Sequence, residues 1–534
     1  MPKRQFLFPA ALLVVLLPGC ASLPTDSGRS DVASLLKQRG YDTPVNDDTQ
    51  AGQRLLAELA GRPLSARDAI HLALVNNPGL KAEYARLGFA AADVYDAGRL
   101  SNPSLSASVL FPNVSGDANQ VGFGLVQSFT DLLLLPARSR FAEGEFERAK
   151  LLVGMSALNL AADTELAYTQ LAAAWQVLTM REAVAKATQA SADLAQRFFE
   201  AGNINRLKLA LEQAAASQAQ LDVLGARAEV TLARNALNRL MGLAASEDTW
   251  KIADQLAEPV PDEDEMGALF ALADHSRLDL AAARKNVTLL ADALGVTRRF
   301  RYLGAIDIGI DTERETDRSR LTGPTLSLEL PLFNQGKGKV ARSKAQLALA
   351  EAELRELEIT ISNGLRRAVA EVAAARQRAE HYRTSLIPLR EAIVARTQEQ
   401  VNYMLVGQFE LLLVKQQEYD AYQGYLEAVR DYWLARVELA RTVGAPLPSA
   451  AQAGDTSLDA ETLIQPNDSG MQMDGMKGMD HSRHNMKGMG NTVTSPPKAP
   501  GGHEGHAMPE HGAPRKSKSD PADDAANEPS HQHH

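Results

Sequence analysis

Ile306-Asp307-Ile308-Gly309-Ile310-Asp311 and, beyond a charged connection, Thr325-Leu326-Ser327-Leu328-Glu329-Leu330-Pro331-Leu332 alternate large aliphatic residues with polar or small ones at a period of two. Successive side chains of a strand point to opposite faces, so each segment is predicted to carry one apolar and one polar face. The first half of the chain holds a similar pair. There Leu105, Val109 and Phe111 are set against Ser104, Ser106 and Ser108, and Val121, Phe123 and Leu125 against Gly122 and Gly124. About nine to eleven residues apiece is the length that a tilted strand needs to cross a bilayer. Half-buried hairpins of a soluble protein would give the same pattern. Four strands cannot close a membrane barrel, whose smallest members have about eight, so a barrel would draw its wall from several copies.

Moving outward from the strands, residues 137–201 contain no proline, and one helix of that length would reach about 97 Å at 1.5 Å per residue. Its counterpart, residues 339–405, carries Leu347, Leu354, Ile361, Ala368 and Ala375 at seven-residue spacing with Ala350 and Leu357 between them, a coiled-coil seam. Pro388 is expected to kink or unwind this second rod. Gly202 and Gly407 mark the expected reversals, each supplying the positive φ of a tight helical turn. Ahead of each strand pair, Ala69-Ile70-His71-Leu72-Ala73-Leu74-Val75-Asn76-Asn77-Pro78-Gly79-Leu80 can be laid on Leu269-Phe270-Ala271-Leu272-Ala273-Asp274-His275-Ser276-Arg277-Leu278-Asp279-Leu280. The same order of elements follows both, so the chain reads as an internal duplication. The fold expected is mainly α with a small β part: long coiled-coil helical hairpins plus four transmembrane strands.

The two ends add chemistry. Lys3 and Arg4 precede an apolar run at residues 6–17 that is too short for a membrane span and reads as a secretory signal. It ends in Leu17-Pro18-Gly19-Cys20, which resembles a bacterial lipobox. Cys20 is the only cysteine, so an intrachain disulfide and a Cys-based zinc site are excluded, and lipid attachment is the reading that uses it, with simple secretion as the alternative. Ala21, rather than Asp, follows it, which in bacterial lipoproteins generally implies release to the outer membrane. At the other end, seven of the thirteen Met and eight of the eleven His stand after Gln465. Met471, Met473, Met476, Met479, His481, His484, Met486, Met489, His503, His506, Met508 and His511 lie in a polar, Gly-rich segment, where disorder is expected and no core explains the thioethers. Thioether suits Cu(I) and imidazole suits Cu(II), so copper is the first expected ligand; an inert polar tail is the alternative. No cofactor is required.

These features together resemble the TolC-like outer membrane efflux proteins over nearly all of residues 20–445. The repeat openings carry the resemblance, with the Gly-centred turns followed by Leu207-Lys208-Leu209 and Leu411-Leu412-Leu413. So does Gly323-Pro324-Thr325-Leu326-Ser327-Leu328-Glu329-Leu330-Pro331-Leu332-Phe333-Asn334-Gln335-Gly336-Lys337-Gly338, which is similar to the heavy-metal branch. The resemblance implies a homotrimer with a shared β-barrel in the outer membrane lipid and an α-helical tunnel in the periplasm. It implies docking to a periplasmic membrane-fusion adaptor and, through it, to an inner-membrane transporter of the resistance-nodulation-division class. Carried onto this sequence, the adaptor-docking tips are residues 198–207 and 403–412, with Phe198, Gly202, Asn203, Ile204, Leu207, Tyr403, Gly407, Gln408, Phe409 and Leu412 as candidates. Where the family often places gate aspartates this chain has Leu413 and Gln416, with Glu410, Glu418 and Asp420 nearby.

The domains expected are a signal peptide (1–19), a lipidated extension (20–62), two efflux repeats (63–260 and 261–450) and the Met/His-rich tail (451–534). A net charge of -10 argues against nucleic acid. No phosphate loop, His-Glu-x-x-His pair or Gly-x-Ser-x-Gly elbow is present, so no enzyme is expected. The leading function is a passive exit duct for copper and silver, and two alternatives stay open: a drug or solvent duct of the same family, and a periplasmic copper-sequestering lipoprotein.

Overall fold

The computed structural model describes residues 26–42, 51–59, 61–113, 118–244, 250–253 and 255–449. The chain divides into two units, residues 1–466 and 467–534, and every described residue belongs to the first. Cys20 and the Met and His candidates of the tail lie outside the described residues.

The elements run in duplicate. After the short α1 (Arg29–Lys37) and α2 (Ala51–Leu59) come α3 (Ala66–Asn76), α4 (Pro78–Ala97), β1 (Ser104–Leu110), β2 (Gln120–Ser128), α5 (Phe129–Glu200) and α6 (Arg206–Met241). The second series is α7 (Met266–Ser276), α8 (Leu278–Arg299), β3 (Ile306–Arg314), β4 (Arg320–Leu328), α9 (Lys337–His381), a π-helical turn at Tyr382–Leu386, α10 (Ile387–Asn402) and α11 (Gln408–Val443).

Local chemistry explains the matching joints. Asn77 caps α4, its side chain accepting from Leu80 N–H at 3.1 Å, while Pro78 presets the first turn. Asn76 and Asn77 also donate to the carbonyls of Gly242 and Leu240, each at 2.8 Å, closing the end of α6. Arg277 does the same work in the second half by donating to Thr442 O at 2.5 Å. Both helices end on a left-handed glycine, Gly242 and Gly444.

α5 begins eight residues before the stretch that the proline-free run marks out, and it takes in Pro136. That residue is exposed, so the helix loses one hydrogen bond at its periphery rather than in its core. Its 72 residues span about 108 Å. The second rod breaks where Pro388 predicts: the π turn immediately precedes α10, with the proline in the first turn of that helix. Gly424 on α11 makes room for the turn, since a Cβ there would lie 2.7 Å from the Tyr382 ring. Along α9 the seam is buried at Ala350, Ile361, Leu365, Ala368, Val372, Ala375 and Ala379, a three-and-four spacing that packs against α8 and α11.

Buried polar clusters fix the segments that cross the rods. Lys150, almost wholly buried, reaches Asp31 and Glu147 at 2.6 Å each and fastens α1 to α5. Arg436 pairs with Glu263 and donates to Ser449 Oγ at 2.8 Å, while Ser449 donates to Asp264 at 2.6 Å. Tyr432, held between Val260 N–H and Glu263, has its hydroxyl pushed up to about 12 by burial and by that carboxylate. These contacts hold the connection between the halves and the last described residue in place.

Candidate conduit wall and hairpin tips

The four strands form one antiparallel sheet in the order β1-β2-β3-β4. Register decides what each face carries, because directly opposed residues share a side. Leu105 pairs with Leu125, Leu125 with Ile310 and Ile310 with Pro324; Ile308 pairs with Leu326, and Ile306 with Leu328. One face is therefore mainly apolar, with Gln127, Thr312, Thr322, Arg314 and Arg320 as its polar members. The other collects Ser104, Ser106, Ser108, Gly122, Gly124, Asp307, Gly309, Asp311, Glu313, Thr325 and Ser327. Thr325 donates to Asp311, and Gln120 to Glu313, across the polar face.

The apolar face is uncovered: Leu105 is 75% exposed, Ile310 60% and Leu326 69%. A contiguous apolar patch of this kind has no place in water and marks contact with lipid or a partner. The strands are seven to nine residues long, shorter at β1 than the alternation suggests, because Phe111 is followed by Pro112. β4 likewise stops at Leu328; Glu329 N–H still reaches Ala305 O at 2.8 Å, and then Pro331 removes a donor. β1 and β4 are both open edges, and Pro324 lies on one of them, where a missing N–H is tolerated. Among the described residues no helix is long and apolar enough to cross a membrane.

At the far ends of the rods the two turns superpose in hydrogen bonding. Asn203 N–H donates to Phe198 O at 2.8 Å and Gly202 N–H to Phe199 O at 2.9 Å; Leu405 N–H donates to Gln400 O and Met404 N–H to Val401 O, both at 2.9 Å. Both are Schellman turns. Gly202 has the expected positive φ of 76°, but its structural partner is Met404 at 58°, not Gly407. Gly407, with φ -84°, instead precedes α11 as its N-cap, the place Asn205 holds before α6. The true offset between the tips is thus 202 residues, whereas aligning the two glycines imposes 205. That offset, followed from the ends of the two hairpins, is the signal that would have found Met404, which is 92% exposed.

The tip candidates fall into two groups. Gly202, Asn203, Leu207, Tyr403, Gly407 and Gln408 are exposed, together with Met404 and Leu405. Phe198, Ile204, Phe409 and Leu412 are partly buried, and the two Phe join the hairpins to one another. Phe198 meets Phe409 edge-on with ring centroids 6.2 Å apart, and Lys208 Nζ lies 4.9 Å from the Phe409 ring. Farther along the rods, Arg181 bridges Asp222 at 3.4 Å and Asp420 at 3.6 Å, linking all but α10 of the four tip helices. Of the acidic gate candidates, Glu418 is buried and paired with Lys415, Asp420 is engaged by Arg181, and Glu410 is exposed in the first turn of α11. Among the described residues no group of His, Cys, Asp and Glu could hold a metal ion, and His71, His275 and His381 stand on separate elements.

Residues 69–243 match the family model described as outer membrane efflux protein. No curated protein matches the chain. Among solved structures it is similar to the Campylobacter jejuni CmeC outer membrane channel at 15% identity, over 75% of this chain and 89% of that one, with a TM-score of 0.61. The outer-membrane channel OprN gives 16% identity, 78% and 95% coverage and a TM-score of 0.61. CusC, described as forming a transmembrane channel, gives 16%, 76% and 98%, and 0.57. At such identities the likeness shows the fold. The family match covers residues 69–243, and outer membrane efflux channels of that family are passive transport ducts, not enzymes.

Proposed function

We propose that this channel is the outer membrane exit duct of a tripartite heavy-metal efflux system that carries copper and silver. The observation that carries the reading of a duct is the sheet with one bare apolar face, one polar face and two open edges. Three copies joined edge to edge would close a wall of twelve strands, four from each, with lipid outside and water inside. The hairpins then extend into the periplasm, where the exposed tips Gly202, Leu207, Tyr403, Met404 and Gly407 meet a periplasmic adaptor and, through it, an inner-membrane transporter. A duct supplies a path and its partner supplies the free energy.

The metal reading rests on the thioethers and imidazoles of Met471 to His511, donors suited to copper in both oxidation states. Lipid on Cys20 adds an anchor. The buried clip of Arg436, Ser449 and Asp264 holds the last described residue, Ser449, in place. The test is copper accumulated per cell in a deletion strain, complemented by the full chain or by one ending at Ala450. Lower copper with the full chain alone gives the tail a part in export; equal rescue leaves the duct and makes the tail an accessory. If neither form lowers copper, metal export is wrong and a drug or solvent duct takes its place.

A further inference from the structure

Where the sheet gives way to the helices of the second half, five cations gather: Arg298 and Arg299 at the end of α8, Arg301 just beyond it, and Lys337 and Lys339 at the start of α9. Packing brings the two groups together. Gly336, which precedes α9, lies so close to Arg301 that a Cβ would be 2.7 Å from its carbonyl oxygen, and the hydroxyls of Thr297 and Ser343 are 3.5 Å apart.

None of the five forms an ion pair among the described residues. The nearby carboxylate of Glu329 is occupied by Ala305 N–H at 3.0 Å. Arg298 and Arg299 suit the negative end of a helix, but Lys337 and Lys339 stand at a positive end, where the dipole disfavours them. The fold alone does not call for them.

The neighbourhood of these charges is apolar. Tyr302, Leu330, Leu332 and Phe333 are exposed beside them, Phe333 completely, just beyond the ends of β3 and β4 at Ile306 and Leu328. Arg301 lies over the Tyr302 ring at 4.1 Å. Aromatic residues at the rim of an apolar band, followed by unpaired cations, match the level at which acyl chains end and headgroups begin. The opposite end of β3 and β4 differs: Arg314, Arg318 and Arg320 there alternate with Glu313, Glu315 and Asp317. The helical end instead gathers its five cations in one group, with Glu329 beside them.

We propose that this collar binds the phosphate groups of anionic phospholipids in the leaflet on the helical side. The inference rests on the sheet's being embedded in lipid. Each cation at an anionic surface is worth about fivefold in binding, so removing two should cost more than tenfold.

The test uses the full chain, floated with vesicles of phosphatidylcholine alone or with added phosphatidylglycerol, then examined by native mass spectrometry for retained lipid. The expected result is retention of phosphatidylglycerol over phosphatidylcholine, reduced more than tenfold in Lys337→Gln/Lys339→Gln and, separately, in Arg298→Gln/Arg299→Gln, with helical circular dichroism unchanged. Two independent pairs keep the test alive if one variant fails to fold. Flotation with no lipid preference, or a preference that both variants keep, overturns the collar and leaves the duct. Competition by inorganic phosphate at equal concentration overturns it in favour of a free-phosphate site. No flotation with either vesicle overturns the duct reading and the collar with it.

Discussion

In the first half of the chain a single helix, α5, runs 72 residues from the sheet to its tip; in the second half the same path is α9, a π-helical turn and α10. Both tips close with the same pair of hydrogen bonds, yet one places glycine in the left-handed position and the other methionine. α6 starts under a side-chain cap from Asn205, whereas α11 starts at Gly407, which has none. The difference teaches that the duplication has kept backbone geometry while dropping the residues that make it easy. The second hairpin is the one built with a joint, a strained turn and an uncapped helix.

The largest expected effect lies at that joint. Gly424→Val should push against the Tyr382 ring and cost about 3 kcal/mol, the upper part of the usual range for overpacking. Gly225→Ala on α6, where nothing stands within 4 Å, should instead gain about 1 kcal/mol. Unfolding followed by circular dichroism separates the two, and equal losses would mean that the halves are packed alike. Next come the turns: Gly202→Met should cost about 1–2 kcal/mol and Met404→Gly should return a similar amount, read as opposite shifts in midpoint. If Met404→Gly destabilises, the side chain packs and the strain is not the dominant feature.

A smaller effect is expected at the caps. Asn205 accepts from Lys208 N–H at 2.9 Å, so Asn205→Ala should cost about 1 kcal/mol, while Gly407→Asn should gain a few tenths. The smallest concerns acid. Ser65 and Asp68 form a capping box at α3, and although burial opposes ionisation, the Ser65 and Arg62 contacts hold the Asp68 carboxyl below its ordinary value. Its contribution is present above the ordinary carboxylate pKa of 3.8 and is lost as pH falls through the lower folded value. α7 has no side-chain cap, so hydrogen exchange below pH 3.8 should loosen α3 relative to its neutral-pH state and leave α7 unchanged.

Much of this architecture is legible in the sequence because periodic patterns are local. The alternation of Ile306, Ile308 and Ile310 with Asp307, Gly309 and Asp311 gives the two faces of the sheet directly, and the seam from Leu347 to Ala375 gives the packing side of α9. Pro388 marks the break in the second rod for a stereochemical reason. What escapes the sequence is set by tertiary contact. Gly407 attracts the positive φ only because glycine is the usual occupant; the chain places it on Met404, where the hydrogen bonds of the turn require it. Neither the meeting of Phe198 with Phe409 nor the clip of Arg436, Glu263 and Ser449 has any local signature, since each joins residues that are 170 or more apart for at least one contact. The donors of the tail are a chemical signal alone and rest on composition.

The central claim is that the bare face of the sheet lies in lipid and the acidic face in water. Cys20 is the only cysteine, so a single cysteine can be introduced into a Cys20→Ser chain at Ile310, Leu326 or Leu105, and, for the other face, at Ser106 or Asp311, and labelled with a small fluorophore. In vesicles containing brominated lipid, the first three labels should be strongly quenched and the last two should respond instead to iodide in the water. Equal quenching of both sets, or the reverse assignment, would contradict the account.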